Sequence, residues 1–572
     1  MTTSFFSGLK FKAQSSKLKA SALAAMVMAT SLTANAGGMN TNTNMSVAFD
    51  RTLSRDAVIA VDGVYFNPAG VVFMSPGIHM SFNYQLITQH RYIDNKYPLF
   101  ANNTTNPTDS RHFEGHALAP LFPSFQIAYN WKKWSFQGAA GVGGGGGKCI
   151  FDDGLGSFEK LVSETAVGAS ALAQTVDASL ASTLTSAGLP TAAVQAIGAN
   201  GFSSDNYFGK TGSYSANSFM RGRQYYYGVS LGVAYKLLPN LGVYAGARGV
   251  YASCNYYGYV RNIKVGNVPL YQVLDPSRTD AADIELNSDQ SGFGVTPILG
   301  VDFKVGRWNF AMKYEFKTRM RLKNDAVNQF PSIGNLQGNL NNVLVSSLNS
   351  ALGPSMTAQI MQQHPTLSQD QAQILAQAQI QSLAANALSA PSVQTAMSTL
   401  KTGFDKGIEA ETGEYQDGRK IAADLPGIIS VGVAYTPIDQ VRLNAGFHYY
   451  FDKEATAYKG RDEKLNRGTL EYSFGAEGDV AKWLTVSAGY QRTSYGLSDE
   501  YMDDRSFVVN SNNVGGGVMV HLSNRARVNV AYFHTFYETK KTNTVSENTG
   551  LNYGADYTRN NNVFGASLEL DF

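Results

Sequence analysis

Hydrophobic and polar residues alternate along many short stretches of this chain. In the stretch from 425 to 436, every second residue is apolar: Ile429, Val431, Val433 and Tyr435. Because successive side chains of a β-strand point to opposite faces, such a stretch forms a strand with one apolar face and one polar or small face. The pattern therefore predicts an all-β chain of amphipathic strands.

About fourteen such stretches follow one another from Gly77 to the last residue. Short connections alternate with long ones, which is typical of a membrane barrel with short periplasmic turns and longer outer loops. The predicted strands span 78–91, 120–131, 134–147, 221–236, 240–262, 287–304, 308–322, 425–436, 440–452, 467–478, 482–494, 511–522, 526–539 and 559–572.

Two architectures fit these strands, a soluble β-sandwich and a barrel whose outer face meets lipid. The aromatic residues favour the barrel. In the stretch 221–236, Tyr225, Tyr227 and Tyr235 flank aliphatic residues on one face. Aromatic ends around an aliphatic middle are typical of a wall that crosses a membrane. We therefore predict a transmembrane antiparallel β-barrel, residues 77–572.

The composition agrees with this prediction and excludes other classes. Only 16% of the residues are charged, 12% are aromatic, and the formal net charge is +2. Such a balance gives no electrostatic reason to expect nucleic acid as a partner. Beyond the N-terminus, no apolar run approaches the ~20 residues that a membrane helix needs.

The N-terminus has the features of a secretory signal peptide. Lysines precede an apolar stretch, and Ala34-Asn35-Ala36 has the small-x-small pattern that signal peptidases cleave. We therefore expect residues 1–36 to be removed near Ala36 and the mature chain to reach a bacterial-type outer membrane. Export leads to an oxidising compartment, and the sequence leaves open whether Cys149 and Cys254 pair there.

Two outer loops, about 148–220 and 323–424, are much longer than the rest and rich in Ala, Ser, Gln and Leu. In the second loop, apolar residues recur at near-helical spacing: Ile374, Leu375, Ile380, Leu383 and Leu388. This spacing predicts helices. Two interpretations remain open, a solvated helical cap and an apolar surface on which a ligand lands.

The segment 37–76 precedes the first strand and has no strand pattern. It contains an acidic, alanine-rich stretch followed by Asn67, Pro68, Ala69 and Gly70. This Asn-Pro-Ala motif, after a signal peptide and before about fourteen strands, resembles the N-terminal hatch of the FadL-like family of outer-membrane transporters for long-chain fatty acids. The resemblance is close in motif only over this segment and is otherwise one of architecture.

The resemblance implies a function. Family members take up long-chain fatty acids or similar hydrophobic small molecules passively. A hatch inside the barrel gates the ligand, which leaves through a gap where the third strand kinks. No catalytic residue or cofactor is implied. The protein is therefore expected to be a channel, not an enzyme, with membrane lipid and a hydrophobic ligand as its partners.

The third predicted strand is unusually rich in glycine. Glycine in a strand weakens it and often marks a bend or a close approach of another chain segment. A lateral opening in the wall is one interpretation; a glycine-rich strand end and room for the hatch are the others. The glycines of this candidate opening are Gly138, Gly141, Gly143, Gly144 and Gly145.

Two basic residues are candidate partners for a ligand carboxylate. By the alternation, Arg248 and Lys313 point into the barrel, and Glu315, Glu471 and Glu477 point the same way. Burial of an unpaired charge is costly, so each must meet an acid, water or a ligand. Salt bridges that stiffen the barrel remain the alternative.

The terminal Phe572 is similar to the signal by which the barrel assembly machinery recognises its substrates, and a monomer is expected. Two other functions compete with hydrophobic uptake. An open diffusion porin for polar solutes would not need the segment 37–76. An outer-membrane lipase or protease would need a nucleophile, a base and a carboxylate on one rim, and no such set stands out. His448 and His534 are interpreted as aromatics of the girdle or lumen, and no metal is expected because no His or Cys cluster has ligand spacing.

Overall fold

The computed structural model describes residues 39, 41–189, 191–192, 194–195, 201–331 and 335–572, so the predicted signal peptide lies outside the described residues. The described residues form one antiparallel sheet in which the first strand pairs with the last, from His79 opposite Asp571 to Lys96 opposite Gly554. The sheet is therefore a closed barrel, and its wall has fourteen strands. The predicted fold class is confirmed.

Several wall strands have a short interruption, after which the same strand continues. A two-residue strand at Val268–Pro269 extends the end of the fifth strand as a small hairpin. The wall strands are β1 (Gly77–Lys96), β2 (Ser110–Trp131), β3 (Trp134–Phe151), β4 (Tyr214–Leu238), β5 (Leu241–Val265), β6 (Ile284–Val305), β7 (Trp308–Glu315 and Arg321–Ala326), β8 (Lys420–Ala422 and Ile428–Ile438), β9 (Val441–Tyr450), β10 (Thr469–Ala481), β11 (Leu484–Ser494), β12 (Ser511–Ser523), β13 (Ala526–Tyr537 and Lys540–Val545) and β14 (Asn552–Asp571).

The outer face of the wall is apolar where the predicted strands run. Its large side chains are exposed, for example Leu231 at 67% and Phe293 at 64%. Aromatic rings gather near the short turns, where Trp308 stacks on Tyr435 with 4.2 Å between ring centroids. Such an exposed band is stable against lipid and costly in water, so the barrel is a transmembrane one.

The wall is much taller on one side than on the other. β4 and β5 have 25 residues each, whereas β9 has 10. About 9–11 residues suffice to cross a bilayer, so the longer strands continue well above it. This is why β2 begins at 110 and β14 at 552, earlier than the predicted 120 and 559.

The helices fall into two groups. Two short ones lie within the N-terminal segment, and the others follow β3, β5 and β7, so the two long predicted loops are helical as expected. No described helix is long and apolar enough to cross a membrane. The helices are α1 (Val47–Thr52), α2 (Gly63–Phe66), α3 (Gly156–Ser186), α4 (Tyr271–Leu274), α5 (Leu336–Gln363), α6 (Gln369–Leu388) and α7 (Pro391–Thr412), with 3₁₀ turns at Gly70–Phe73, Pro98–Asn102, Gly413–Tyr415, Asp452–Glu454 and Tyr458–Lys464.

Helices α3 and α5–α7 cover the tall side of the barrel, and we call them the cap. α5 buries an apolar residue at every fourth position from Leu336 to Leu352, which is the helical period that packing requires. In α6, Ile380, Leu383 and Leu388 are buried, but Ile374 is exposed. The predicted apolar face is therefore only partly correct. Cys149 and Cys254 are buried and unpaired.

The attachment of the cap should depend on pH through Asp504. This carboxyl, in the loop between β11 and β12, accepts hydrogen bonds from the main-chain N–H of Ser157 at 2.7 Å and from its hydroxyl at 2.9 Å, in the first turn of α3. Burial, together with the charge of Asp503, raises the pKa of Asp504 to about 7. An unfolded Asp titrates near pH 4, so the folded state binds the proton more tightly, and stability is gained as the pH falls from about 7 to about 4.

We therefore expect limited proteolysis of α3 in the purified protein to be slower at pH 5 than at pH 8. Asp504→Asn should remove most of this difference because the amide does not titrate. The exposed Glu500 of the same loop serves as the control, and Glu500→Gln should keep the wild-type response. Equal pH responses of wild type and Asp504→Asn would contradict this account of the cap.

Candidate functional site: the hatch and the break in the wall

Residues 41–74 are buried or half-buried within the barrel and lead to the exposed Ser75 and Pro76, and we call 41–76 the hatch. Its first helix, α1, begins after Ser46, whose hydroxyl accepts a hydrogen bond from the N–H of Phe49 at 3.0 Å. The helix ends at Leu53, which adopts the left-handed conformation at φ 53°. Every residue of α1 is buried, because the helix packs against the inner faces of β10 to β14 and of β1.

The wall makes room for the hatch with glycine. A side chain at Gly489 would place its Cβ 1.9 Å from the main-chain oxygen of Thr52, and one at Gly446 would place it 2.1 Å from the carboxylate of Asp56. Such distances are too short for non-bonded atoms. At Gly489 the obstacle is main chain, so only glycine fits there, and at Gly446 a larger residue would displace the carboxylate of Asp56. Gly489 of β11 has a glycine directly opposite it on each neighbouring strand, Gly475 of β10 and Gly515 of β12. The small residues on the inner face, visible in the sequence, therefore form a groove for the hatch backbone.

Buried charges fix the hatch to the wall. Glu477 of β10 accepts from Arg51 at 2.7 Å and from Arg55 at 3.5 Å, and Arg55 also binds Asp62 at 2.8 Å. All four side chains are nearly inaccessible to water. Glu477 was predicted to point inward, but its hatch partners were not found from the sequence. We call these four residues the arginine lock.

His448 connects the hatch to the wall at a second point. Its Nε2 lies 2.7 Å from a carboxylate oxygen of Asp56 in the hatch, and its Nδ1 lies 2.7 Å from one of Glu471 on β10. The prediction left two positions open, the girdle and the lumen. His448 lies in the lumen, and its contacts with Asp56 and Glu471 were not predicted. Asp56 is far away in the sequence, and no local pattern could have indicated the contact.

The Asn-Pro-Ala motif also contacts the wall. Asn67 donates to the carboxylate of Asp302 on β6 at 2.6 Å and accepts from the N–H of Gly70 at 3.2 Å. The carbonyl of Pro68 accepts from Gln137 at 2.7 Å. These contacts account for the motif in physical terms.

The last two motif residues need close packing. Ala69 packs with Tyr244 and Ile298 of the wall. A Cβ at Gly70 would lie 2.3 Å from the Asn67 amide, so a larger residue there would displace this amide from its contact with Asp302. The turn that follows Asn67 therefore sits directly against the wall and leaves no room for larger residues.

The wall is broken between β2 and β3. Leu118 pairs with Lys148, and the next pair is Ser124 with Gly141, so 119–123 and 142–147 do not pair with each other. Pro120 and Pro123 lack the N–H that a ladder needs, which explains why β2 leaves the ladder here. We call these two stretches the β2–β3 break.

Glycine gives β3 its path through the break. Gly145 has φ 66° and Gly147 has φ 122°, which are conformations that other residues rarely adopt. Of the predicted glycines, Gly143, Gly144 and Gly145 lie in the break, whereas Gly138 and Gly141 are regularly paired beside it. Gly141 faces the hatch, because its Cβ would lie 2.7 Å from Met45. Gly143 to Gly145 are therefore the glycines to which the interpretation as a lateral opening applies. Gly141 is the one that makes room for the hatch.

The hatch supplies hydrogen bonds that the break removes. The main-chain N–H of Asn42 donates to the carbonyl of Gly143 at 2.9 Å. Its side-chain amide donates to the carbonyls of Val142 at 3.2 Å and Gly145 at 2.7 Å. On the outer side, the hydroxyl of Tyr84 donates to the carbonyl of Pro120 at 2.8 Å. These contacts satisfy main-chain groups that the gap between β2 and β3 leaves without a ladder partner on that side.

The space around the break is apolar. Phe122 and Val142 are buried in one cluster with residues of the hatch, among them Phe49 and Phe66. On the outer side Leu121 is 65% exposed. A hydrophobic molecule would therefore meet apolar side chains on both sides of the break.

Arg248 and Lys313 both point into the barrel, as predicted. Arg248 donates to both carboxylate oxygens of Glu315, at 2.7 and 3.1 Å, and Lys313 lies 2.8 Å from the same carboxylate. Both cations also lie 4.8 Å from the ring centroid of Tyr65 in the hatch. Two positive charges thus face one negative charge, so Glu315 neutralises this group only in part.

A second basic pair was missed from the sequence. Arg91 on β1 and Arg559 on β14 are buried inside the barrel, directly opposite each other across the strand pair. Both guanidinium groups lie over the ring of Phe507, at 5.7 and 4.8 Å, and the Nη2 of Arg91 has no hydrogen-bond partner among the described residues. Like charges opposite each other are destabilising. Strand register, which the sequence does not reveal, brings them together.

Small cavities lie in the cap and in the lumen beside the break. The outer one, in the cap, is lined almost entirely by apolar residues of α3, α4, α5 and α7. Two inner ones share Thr41, Glu315 and Ile428. Gly143 of the break and Arg248 line one of them, and Lys313 lines the other.

Comparisons with known proteins agree with this geometry. No family model and no curated protein matches the chain. Among solved structures, a FadL homologue of Pseudomonas aeruginosa is similar over 94% of this chain and all of that chain, with 12% identity and a TM-score of 0.53. The Ralstonia pickettii toluene transporter TbuX is similar over 92% and 99% of the two chains, with 11% identity and a TM-score of 0.45. The chain therefore has a FadL-like fold.

The arginine lock leads to a prediction about the hatch. Glu477→Gln would leave Arg51 buried without its carboxylate, which typically costs about 3–5 kcal/mol. We expect the hatch to loosen, with a lower melting temperature and a higher single-channel conductance of small ions in planar bilayers. As the control, Glu547→Gln at an exposed loop residue should change neither quantity. Unchanged conductance in a destabilised Glu477→Gln protein would mean that the lock stabilises the barrel without closing it.

Proposed function

We propose that this protein is an outer-membrane channel for passive uptake of hydrophobic small molecules, with long-chain fatty acids as the first candidates. One observation carries the proposal. The lumen is filled by a hatch, and the wall beside that hatch has a break bordered by apolar residues. An open porin for polar solutes would have no use for either feature, because its lumen must hold water.

The proposed route begins at the cap. The apolar outer cavity between α3, α4 and α5 suits a ligand that leaves water. The ligand then passes beneath the cap to the inner cavities, which lie next to Gly143 of the break. A shift of the hatch frees the space around Asn42, and the ligand leaves between β2 and β3 into the membrane.

The charges of the lumen favour a ligand with an acidic group. Arg248 and Lys313 share a single carboxylate, that of Glu315, and Arg91 adds a buried guanidinium whose Nη2 has no partner within the described part of the chain. A carboxylate at either place would gain charge-assisted hydrogen bonds. A neutral hydrocarbon would gain nothing from them, which makes the choice of ligand testable.

Uptake of labelled long-chain fatty acid by cells that lack their own transporter tests this function. A sugar and a monoaromatic hydrocarbon serve as the comparison solutes. We expect uptake of the fatty acid but not of the sugar, and its reduction when the hatch contacts are weakened by Asn67→Ala with Pro68→Ala. Sugar uptake that stays the same in the double variant would identify an open porin instead.

Substitution of Lys313 tests the role of charge. Lys313→Gln leaves Arg248 paired with Glu315, so the folded barrel keeps a balanced pair. We expect the half-saturating fatty acid concentration to rise about tenfold, which corresponds to roughly 1.4 kcal/mol. Arg91→Gln should act in the same direction, and Lys482→Gln in an exposed turn is the control. An equal loss of hydrocarbon uptake would show that the charge does not recognise the ligand.

The glycines with positive φ in the β3 part of the break lead to a further prediction. Gly145→Ala with Gly147→Ala places side chains in left-handed or similar conformations, at a cost of roughly 1–2 kcal/mol each. We expect slower uptake at an unchanged amount of protein in the membrane. Gly138→Ala, in the paired part of the same strand, is the matched control. Normal uptake by the folded double variant would instead favour release into the periplasm.

A further inference from the structure

Two histidines and one glutamate meet on the outer face of β1 and β2, above the lipid-facing band: His90, His116 and Glu114. The Nδ1 of His90 lies 3.2 Å from a carboxylate oxygen of Glu114 and 3.2 Å from the Nδ1 of His116. The Nε2 of His116 lies 3.8 Å from that same oxygen. One ligand atom from each of the three side chains lies within 4.8 Å of the other two.

Strand register creates this arrangement. His90 is directly opposite His116, and Tyr92 is opposite Glu114. Residues opposite each other have Cβ atoms about 5 Å apart, and diagonal neighbours remain within reach of long side chains. The ladder continues without interruption from Ile87 to Lys96. Spacing along the chain, which predicted no metal, does not reveal a group that lies on two strands.

The chemistry of the group suits a metal ion. Two imidazoles and one carboxylate are a ligand set that zinc takes in proteins, with water at the remaining position. The side chains are accessible, at 42% for His90, 39% for Glu114 and 54% for His116. An ion from solution therefore has a path to the group, and the group has room for a bound water.

The surroundings hold the group in place. The ring of Tyr92 stacks on His90, with centroids 6.3 Å apart, and on His112, at 5.9 Å. His112 is itself bound to Asp94, at 2.7 Å. His112 therefore has its own carboxylate and does not take part in the group of His90, Glu114 and His116, which makes it a natural control.

We propose that His90, Glu114 and His116 bind one divalent transition-metal ion, with Zn²⁺ as the probe. The site does not depend on the proposed uptake function. It would tie β1 to β2 three residues from Ala119, where β2 leaves its ladder with β3. A bound ion would thus hold the outer part of β2 in register beside the break.

Titration of the purified full-length protein, without a histidine tag and in detergent micelles, tests the site. Calorimetry with ZnCl₂ should detect one site that His116→Gln or Glu114→Gln weakens about tenfold or more, since even outer-shell changes typically cost 10–100-fold. His112→Gln should leave it unchanged. Zn²⁺ binding of equal affinity and stoichiometry in wild type and His116→Gln, or no binding by wild type, would overturn the proposal.

Electron paramagnetic resonance gives a second measurement that does not require a variant to fold. Cu²⁺ added at one equivalent to the wild type should show coupling to two imidazole nitrogens. A spectrum with only oxygen ligands, or with a single nitrogen, would also overturn the proposal. Because neither measurement involves transport, the metal site and the uptake function succeed or fail separately.

Discussion

A wall that crosses a membrane has to satisfy each of its main-chain hydrogen-bonding groups. Neighbouring strands do this elsewhere in the barrel, but at the β2–β3 break the partners come from outside the ladder. Pro120 and Pro123 take β2 out of its ladder with β3, and glycines turn β3 away from β2. The carbonyls left over on β3 are bound by Asn42, which belongs to the hatch. The break and the hatch are therefore one structural unit, because the break is satisfied by the segment that fills the lumen beside it.

The same unit explains the inner face of the barrel. Where a porin would have water, this lumen has a peptide segment held by buried ion pairs and close backbone contacts. The inward residues that meet the hatch are accordingly charged, as Glu477 and His448 are, neutral and polar, as Gln126 is, or reduced to glycine. A buried ion pair adds little net stability, but loss of one partner is costly. Such contacts therefore specify one position for the hatch more than they stabilise the barrel.

The sequence predicted those parts of the fold that have a face against lipid. The period of two is strict there, so the strand number and the short turns were correct. Above the lipid the outer faces of β1 and β2 become polar, with His90, Asp94 and His112, and the signal is lost. The strands were therefore predicted too short on the tall side of the wall.

The sequence indicated candidate site residues only where they lie in one local motif. Asn67 to Gly70 and the glycines of β3 are of this kind. Arg91 opposite Arg559, and His448 between Asp56 and Glu471, depend on strand register or on contacts across most of the chain. One sequence contains no information on register of that kind, so these groups are visible only in the folded barrel.

The glycine groove has a consequence for the order of folding. The hatch is the first described part of the chain, yet the strands that receive it are among the last, and 426 residues separate Arg51 from Glu477. Contacts between such distant residues form late, because a long loop must close before they are made. Helix α1 of the hatch therefore cannot make these contacts until β10 to β14 are in place. β14 both pairs with β1 and contacts α1, so closure of the wall and seating of the hatch depend on the same strand.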